Sequence, residues 1–312
     1  MSVVTVGTFD GVHRGHHAVI TEIRRRAAAR NLPSVLVTFE PHPLEIVNPA
    51  AAPLLLTPGQ ERLEALATTG VDRVVVLRFD RALAAMEPEQ FVREVLRARL
   101  GMTELVIGHD HGFGRGRSGD ESTLRALGDR LGFPVDVVEA VDAGSGHISS
   151  SRIRRAVAGG DLETAAILLE RPYTVSGSVG RGAGRGRTIG VPTINLEGVP
   201  PRKLLPPDGV YAVQVETRQG TFGGMMNQGS RPTFGELQRT LEAHLFDFAG
   251  DLYGQRVRIT WMARLRDIRR FGSAEDLVAQ LARDRADARA ALARAQQEHA
   301  RAATPVPSGG HA

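Results

Sequence analysis

Residues 3–20, VVTVGTFDGVHRGHHAVI, constrain the fold more than any other stretch of the chain. Val3, Val4 and Val6 form a short β-branched run that stops at Gly7, the pattern of a buried parallel strand. Gly11 and Gly15 punctuate a tight turn that carries Asp10, His13, Arg14 and His16. Ile20, Ile23 and Ala27 follow at i, i+3 and i+7, an apolar helical stripe. Strand, glycine loop and helix in this order place two histidines where a helix N-terminus opens. Such a terminus offers unpaired N–H groups and partial positive charge, both suited to phosphate. On a first helical turn, residues three apart face the same way, so both imidazoles can address one object. The bland alternative is a pair of solvated loop histidines; the flanking strand and helix favour a ligand.

At 312 residues the chain has room for two domains, each with its own core. The absence of cysteine excludes disulfides, thiolate zinc sites and cysteine nucleophiles. No run of eighteen apolar residues occurs, so no membrane span is expected. The N-terminus enters strand residues directly, without a signal or transit segment, and the expected setting is the cytoplasm. Net charge is +4 and the positive charge is nearly all arginine; Lys203 is the single lysine. A cationic phosphate clamp therefore falls to arginine or histidine, and arginine suits bidentate contacts.

Strand candidates 34–39, 73–79, 105–108 and 135–141 alternate with helical patterns at 60–69 and 88–100. That alternation predicts a doubly wound parallel sheet. His42, in EPHP after the second strand, either lines the site or fills a turn. Two later loops are rich in phosphate-type donors: GHDHGFGRGRSG at 108–119, and ISSSRIRR at 148–155, where serine hydroxyls can cap a helix. Asp161 reads as the cap of a further helix that ends before Arg171-Pro172. From Tyr173 the texture turns to β: 191–196, 209–217, 221–227, 240–248 and 256–262 are short strands between turns. No helices intervene, which predicts a small antiparallel barrel, closed by one C-terminal helix from Ala274 to about Ala293.

GTFDGVHRGH resembles the HxGH loop of the nucleotidyltransferase superfamily, in the form carried by bifunctional riboflavin kinase/FAD synthetases, with Thr8 where Asn is usual. ISSSRIR is similar to the family's ISSTxIR motif, and GRTIGVPTIN to the kinase signature GRxxGxPTAN. LEAHLFDF matches the segment that holds the kinase base. In the loop 108–119, Gly108, Asp110, Phe113 and Gly114 match while His111 and Gly112 depart from the pattern. The resemblance implies an α/β plus β architecture: a Rossmann-like FMN adenylyltransferase domain over 1–170 and a riboflavin kinase barrel over 171–294. Residues 295–312 are expected to form a disordered tail.

By the same resemblance, His13 and His16 serve the ATP α-phosphate. Gly7, Phe9, Asp10, Gly15 and Asp110 line that nucleotide, while Ser150, Arg152 and Arg154 hold the departing pyrophosphate. In the barrel, Gly182, Gly186, Arg187, Thr193 and Asn195 are implied to bind ATP, with Thr193 on a magnesium ion held mostly through phosphates. Glu242 is implied to be the base that deprotonates the ribityl hydroxyl of riboflavin. Expected small molecules are riboflavin, FMN and ATP, with FAD as product, no nucleic acid, no membrane, and homo-oligomerisation left open. Two other readings are a kinase with a degenerate first domain, and a non-catalytic nucleic-acid-binding or regulatory protein motivated by the arginine content.

Overall fold

The computed structural model describes residues 1–303 apart from 110, 111, 145, 183–189, 234 and 235. Two compact units result: one comprises Met1–Arg155, Ile167–Arg171 and Pro200–Leu204, the other Ala156–Ala166, Pro172–Val199 and the chain from Leu205 onward.

In the first unit, strands β1 (Ser2–Val6), β2 (Ser34–Glu40), β3 (Arg73–Arg78), β4 (Met102–Gly108) and β5 (Val135–Val138) form one sheet in the order β3-β2-β1-β4-β5. All neighbouring pairs are parallel. β1 is buried along its whole length, as its valine run predicts. Val4 and Val6 face one layer, packed with Val37, Ile107 and the helical residues Phe91 and Val95. Val3 faces the other, against Val19, Ile23 and Ala27 of α1 (Arg14–Ala29). Chain order reverses at β1 and β4, so their C-terminal ends form the switch point where open α/β sheets bind ligands. Gly7 leaves β1 at that edge.

Several boundaries differ from the sequence reading. A helix over Glu121–Leu131, capped by Asp120, was not expected; the glycine-rich stretch before it masks its start. The helix from Pro88 passes into a π-helical stretch, Phe91–Arg97. His42 fills a turn: its Nδ1 accepts from the Leu44 N–H and caps the short helix Pro43–Val47.

The second unit contains the closed antiparallel barrel, ordered β10-β7-β6-β11-β8-β9. Its strands are β6 (Thr174–Gly180), β7 (Ile194–Glu197), β8 (Gly209–Thr217), β9 (Gly220–Thr233), β10 (Glu236–Leu245) and β11 (Arg256–Arg266). The C-terminal helix, Ala274–Ala303, packs Ala288, Ala291 and Leu292 on Ala212, Met225 and Phe246. Residues 295–303 continue this helix, which corrects their assignment to a disordered tail. LARAQQEHARAA is rich in strong helix formers, and propensity extends the helix where polarity suggested an end. Residues 304–312 lie outside the described residues. Among the described residues, no helix is long and apolar enough to cross a membrane.

A buried carboxylate joins α1 to the sheet in the first unit. Glu104 on β4 is fully buried and meets Arg26 Nη1 at 2.6 Å and Arg30 Nη1 at 2.7 Å. Arg26 also reaches Asp136 at 2.5 Å, so it ties α1 to two strands. Arg26→Met leaves the buried Glu104 with the half-exposed Arg30, so its charge is only partly compensated. Arg26→Met is therefore expected to lower the stability of the first unit by about 3 kcal/mol, read as a fall in its urea midpoint.

Candidate active sites

In the first unit the loop from Gly7 to Gly15 is built around Asp10, which is buried. Its Oδ1 accepts the Thr57 N–H at 2.9 Å and its Oδ2 the Leu56 N–H at 3.1 Å. Arg154 Nη2 donates to Oδ2 at 2.8 Å, and the Ser150 hydroxyl donates to the Asp10 carbonyl at 2.9 Å. The loop needs such bracing. Phe9, Gly11 and Val12 all have positive φ (48°, 88° and 42°), and a β-branched residue in that region is strained. Gly11 is required twice over, since a Cβ there would lie 2.7 Å from Leu56 Cδ1.

His13 is the N-cap of α1, and with His16 it forms a reciprocal capping box. Each imidazole Nδ1 accepts the other residue's backbone N–H at 3.3 Å. The rings stack at 3.6 Å between centroids, with Phe9 tilted 5.0 Å from His16. Gly15 leaves room for this stack; a Cβ there would come within 3.2 Å of the His13 ring. Because both Nδ1 atoms accept, each neutral ring carries its proton on Nε2 and presents it as a donor. Burial lowers the His13 pKa from 6.5 to about 4, only partly opposed by Asp10. Burial, then His13 itself, pushes His16 well below the ordinary value. The pair consists of two neutral N–H donors at a helix N-terminus, suited to phosphate oxygens.

The other expected residues of this site are hydrogen-bonded within the fold. Ser149 caps the helix Ser150–Gly159 through the Arg152 N–H. The Arg152 guanidinium donates to the Gly146 carbonyl at 2.6 Å and the Ala143 carbonyl at 3.4 Å. Gly7 lies against the Phe9 ring. Asp110 and His111 lie outside the described residues. Three residues that sequence reasoning passed over hold this loop in place. Thr57 Oγ1 accepts the Gly11 N–H at 2.8 Å; Arg62, itself buried, donates to the Thr8 carbonyl; Arg171 donates to the carbonyls of Gly11 and Val12.

In the barrel, antiparallel register aligns a polar row. Gly180 pairs with Asn195, Asn195 with Glu242, and Glu242 with Asn227. Residues directly opposite share a face, so Asn195, Glu242 and Asn227 project together. Glu242 and Asn195 are both half-buried. Gly182 is held to glycine by Asn195, whose amide nitrogen would lie 2.0 Å from any Cβ there. Thr193 immediately precedes β7 and is placed through Pro192, whose carbonyl accepts from His244 Nδ1 at 2.7 Å. His244 Nε2 accepts in turn from Arg285 of the C-terminal helix at 3.0 Å. Burial lowers the His244 pKa, in keeping with that neutral tautomer. Gly186 and Arg187 fall outside the described residues. The local sequence around Asn227 and His244, the latter within LEAHLFDF, does not mark the cross-strand and helix partners through which they act.

The buried His13 gives the first unit a defined acid sensitivity. The unfolded chain takes a proton on this ring near pH 6.5 and the folded chain only near pH 4. The His13 contribution is thus complete above about pH 6.5 and declines as pH falls toward 4, by on the order of 2 kcal/mol between pH 7.5 and pH 5. Urea unfolding of His13→Asn should show a correspondingly weaker loss over that interval; equal losses would show that His13 does not carry it.

Comparison with known proteins assigns both halves. The FAD synthetase family matches residues 1–152, and the riboflavin kinase family matches residues 169–292. The bifunctional riboflavin kinase/FMN adenylyltransferase of Escherichia coli (strain K12) is 41% identical over 289 residues, 92% of this chain and 91% of its own. The protein of the same name from Pseudomonas fluorescens is 39% identical over 93% of each chain. A crystal structure from Streptococcus pneumoniae, described as a macrolide-efflux protein, has TM-score 0.82 at 34% identity and covers 92% of this chain and 93% of that one. With one unit built on a nucleotide loop at the switch point of a parallel sheet and another on a closed barrel, the chain belongs to the bifunctional riboflavin kinase/FMN adenylyltransferase family.

Proposed function

We propose that this chain converts riboflavin to FMN in its barrel and FMN to FAD at its HxGH loop, each step consuming one ATP, with the division of labour near residue 170. The observation that carries the reading is the pair of separately built sites: two neutral imidazole donors on a braced loop, and a carboxylate aligned with an amide on a barrel face.

In the kinase step, Glu242 accepts the proton of the terminal ribityl hydroxyl as its oxygen attacks the γ-phosphorus of ATP, and ADP leaves. Asn195, opposite Glu242 in register, and Thr193 address the phosphates. Among the described residues no group of three histidines or carboxylates could hold a metal. Oxygen donors such as Thr193 and Asn195 fit a hard divalent cation retained mainly by substrate oxygens, and we assign it as Mg²⁺. Such a cation neutralises charge on the phosphates when bound.

In the adenylyl step, an FMN phosphate oxygen attacks the α-phosphorus of ATP, and the bond to the bridging oxygen of the β-phosphate breaks, releasing pyrophosphate. No proton needs to be removed from the nucleophile. Catalysis rests on donors aimed at developing negative charge, which neutral Nε2–H groups and the N-terminus of α1 supply. Arg154 remains near the leaving group while anchored to Asp10. We place both reactions in the cytoplasm because both draw on ATP.

Incubation with riboflavin, ATP and Mg²⁺ should yield FMN and then FAD by chromatography; absence of both products contradicts the assignment. Glu242→Gln should abolish FMN formation yet still convert supplied FMN to FAD. His16→Ala should slow FAD formation by about 10²–10³-fold, with riboflavin phosphorylation intact.

A further inference from the structure

The single lysine of an arginine-rich chain is not on the surface. Lys203 is buried, and its Nζ donates to Glu61 Oε2 and to the Leu56 carbonyl, both at 2.6 Å. It lies within the stretch matched by the riboflavin kinase family, yet Pro200–Leu204 belongs to the first unit. There the segment pairs with Leu55: the Leu55 N–H donates to the Arg202 carbonyl at 2.7 Å, and the Leu204 N–H to the Leu55 carbonyl at 2.8 Å.

The peptide unit between Leu56 and Thr57 joins two opposite charges. Its carbonyl accepts from Lys203, and its N–H donates to Asp10 Oδ1 at 2.9 Å. The peptide dipole is thus aligned from ammonium to carboxylate, and a low-dielectric setting strengthens each bond in the chain. Asp10 passes the constraint on to Arg154, and Thr57 Oγ1 passes it to the Gly11 amide. A guanidinium would spread its donors over a plane, whereas one ammonium nitrogen serves both acceptors from a single point.

We propose that Lys203 is a positioning residue for adenylyl transfer, setting the Gly7–Gly15 phosphate loop through the Leu56–Thr57 peptide and Asp10. This rests on the assignment of FMN adenylylation to that loop. Burial lowers the Lys203 pKa and the Glu61 carboxylate opposes that shift, while the bond to the Leu56 carbonyl is the one that acts on the loop. Arg171, donating to the Gly11 and Val12 carbonyls, braces the same loop.

The test uses the full chain. Lys203→Met/Glu61→Gln removes the cation without leaving a buried anion, and Glu61→Gln alone keeps the donor to Leu56. The double variant is expected to lose about tenfold or more in kcat/KM for ATP in FMN adenylylation, because loop placement governs reactive geometry. Riboflavin phosphorylation should stay within about twofold of wild type, and Glu61→Gln should stay within about threefold of wild type in both reactions, given the ordinary scatter of remote substitutions. Full FAD synthesis by the double variant, or equal loss in both variants, would overturn the proposal, since the pair would then serve the fold alone. A second measurement avoids any folding problem. Labelling lysine with ¹⁵N gives one side-chain signal in unmodified protein, and addition of α,β-methylene-ATP should shift it; an unmoved signal overturns the proposal. Failure of the wild-type chain to make FAD from FMN would instead sink the adenylyltransferase assignment itself.

Discussion

The carboxylate of Asp10 is the group around which the first unit's loop from Gly7 to Gly15 is arranged. A carboxylate withdrawn from water is stable only if hydrogen bonds replace its hydration. Here two backbone N–H groups and Arg154 do so. Those bonds fix more than a side chain: they hold a turn in which Phe9, Gly11 and Val12 adopt backbone angles that few sequences tolerate. The turn in turn presents His13 at the first residue before α1, where the capping box forces both imidazoles into one tautomer. Without the carboxylate, the loop keeps only the braces from Thr57, Arg62 and Arg171.

The barrel achieves alignment differently. Its site residues come from strands distant in sequence, and pairing register brings Asn195, Glu242 and Asn227 into one row. A shift by one residue would turn Glu242 to the opposite face, so the buried Leu241, Ala243 and Leu245 indirectly fix where Glu242 points. His244 adds a link from the C-terminal helix to Pro192, two residues before β7 begins at Ile194. One unit thus relies on a braced loop, the other on a ladder.

How far the sequence revealed this follows from the range of the interactions. The β1–loop–α1 module was legible because its determinants are contiguous: the valine run, the glycines, and the stripe Ile20, Ile23 and Ala27 that the structure buries. The segment that carries Glu242 is legible for the same reason, since LEAHLFDF is one contiguous run. Thr57, Arg62, Arg171 and Lys203 gave no signal, because each acts on a partner tens of residues away and nothing local marks it. The direction of Arg152 was equally hidden; its guanidinium turns to the carbonyls of Ala143 and Gly146, a choice made by loop shape. The extra turns of the C-terminal helix were missed because polarity was weighed above propensity.

The strip Pro200–Leu204 also bears on how the protein is made. Translation delivers the sheet of the first unit well before the strip that pairs with Leu55. The bonds from Lys203 to Glu61 and to the Leu56 carbonyl can therefore form only after residues 200–204 have emerged, although domains generally fold in the order they are synthesised. The parallel sheet precedes the five residues that complete the Leu55 pairing, so a chain stopped before residue 200 lacks a strip its first unit is built with.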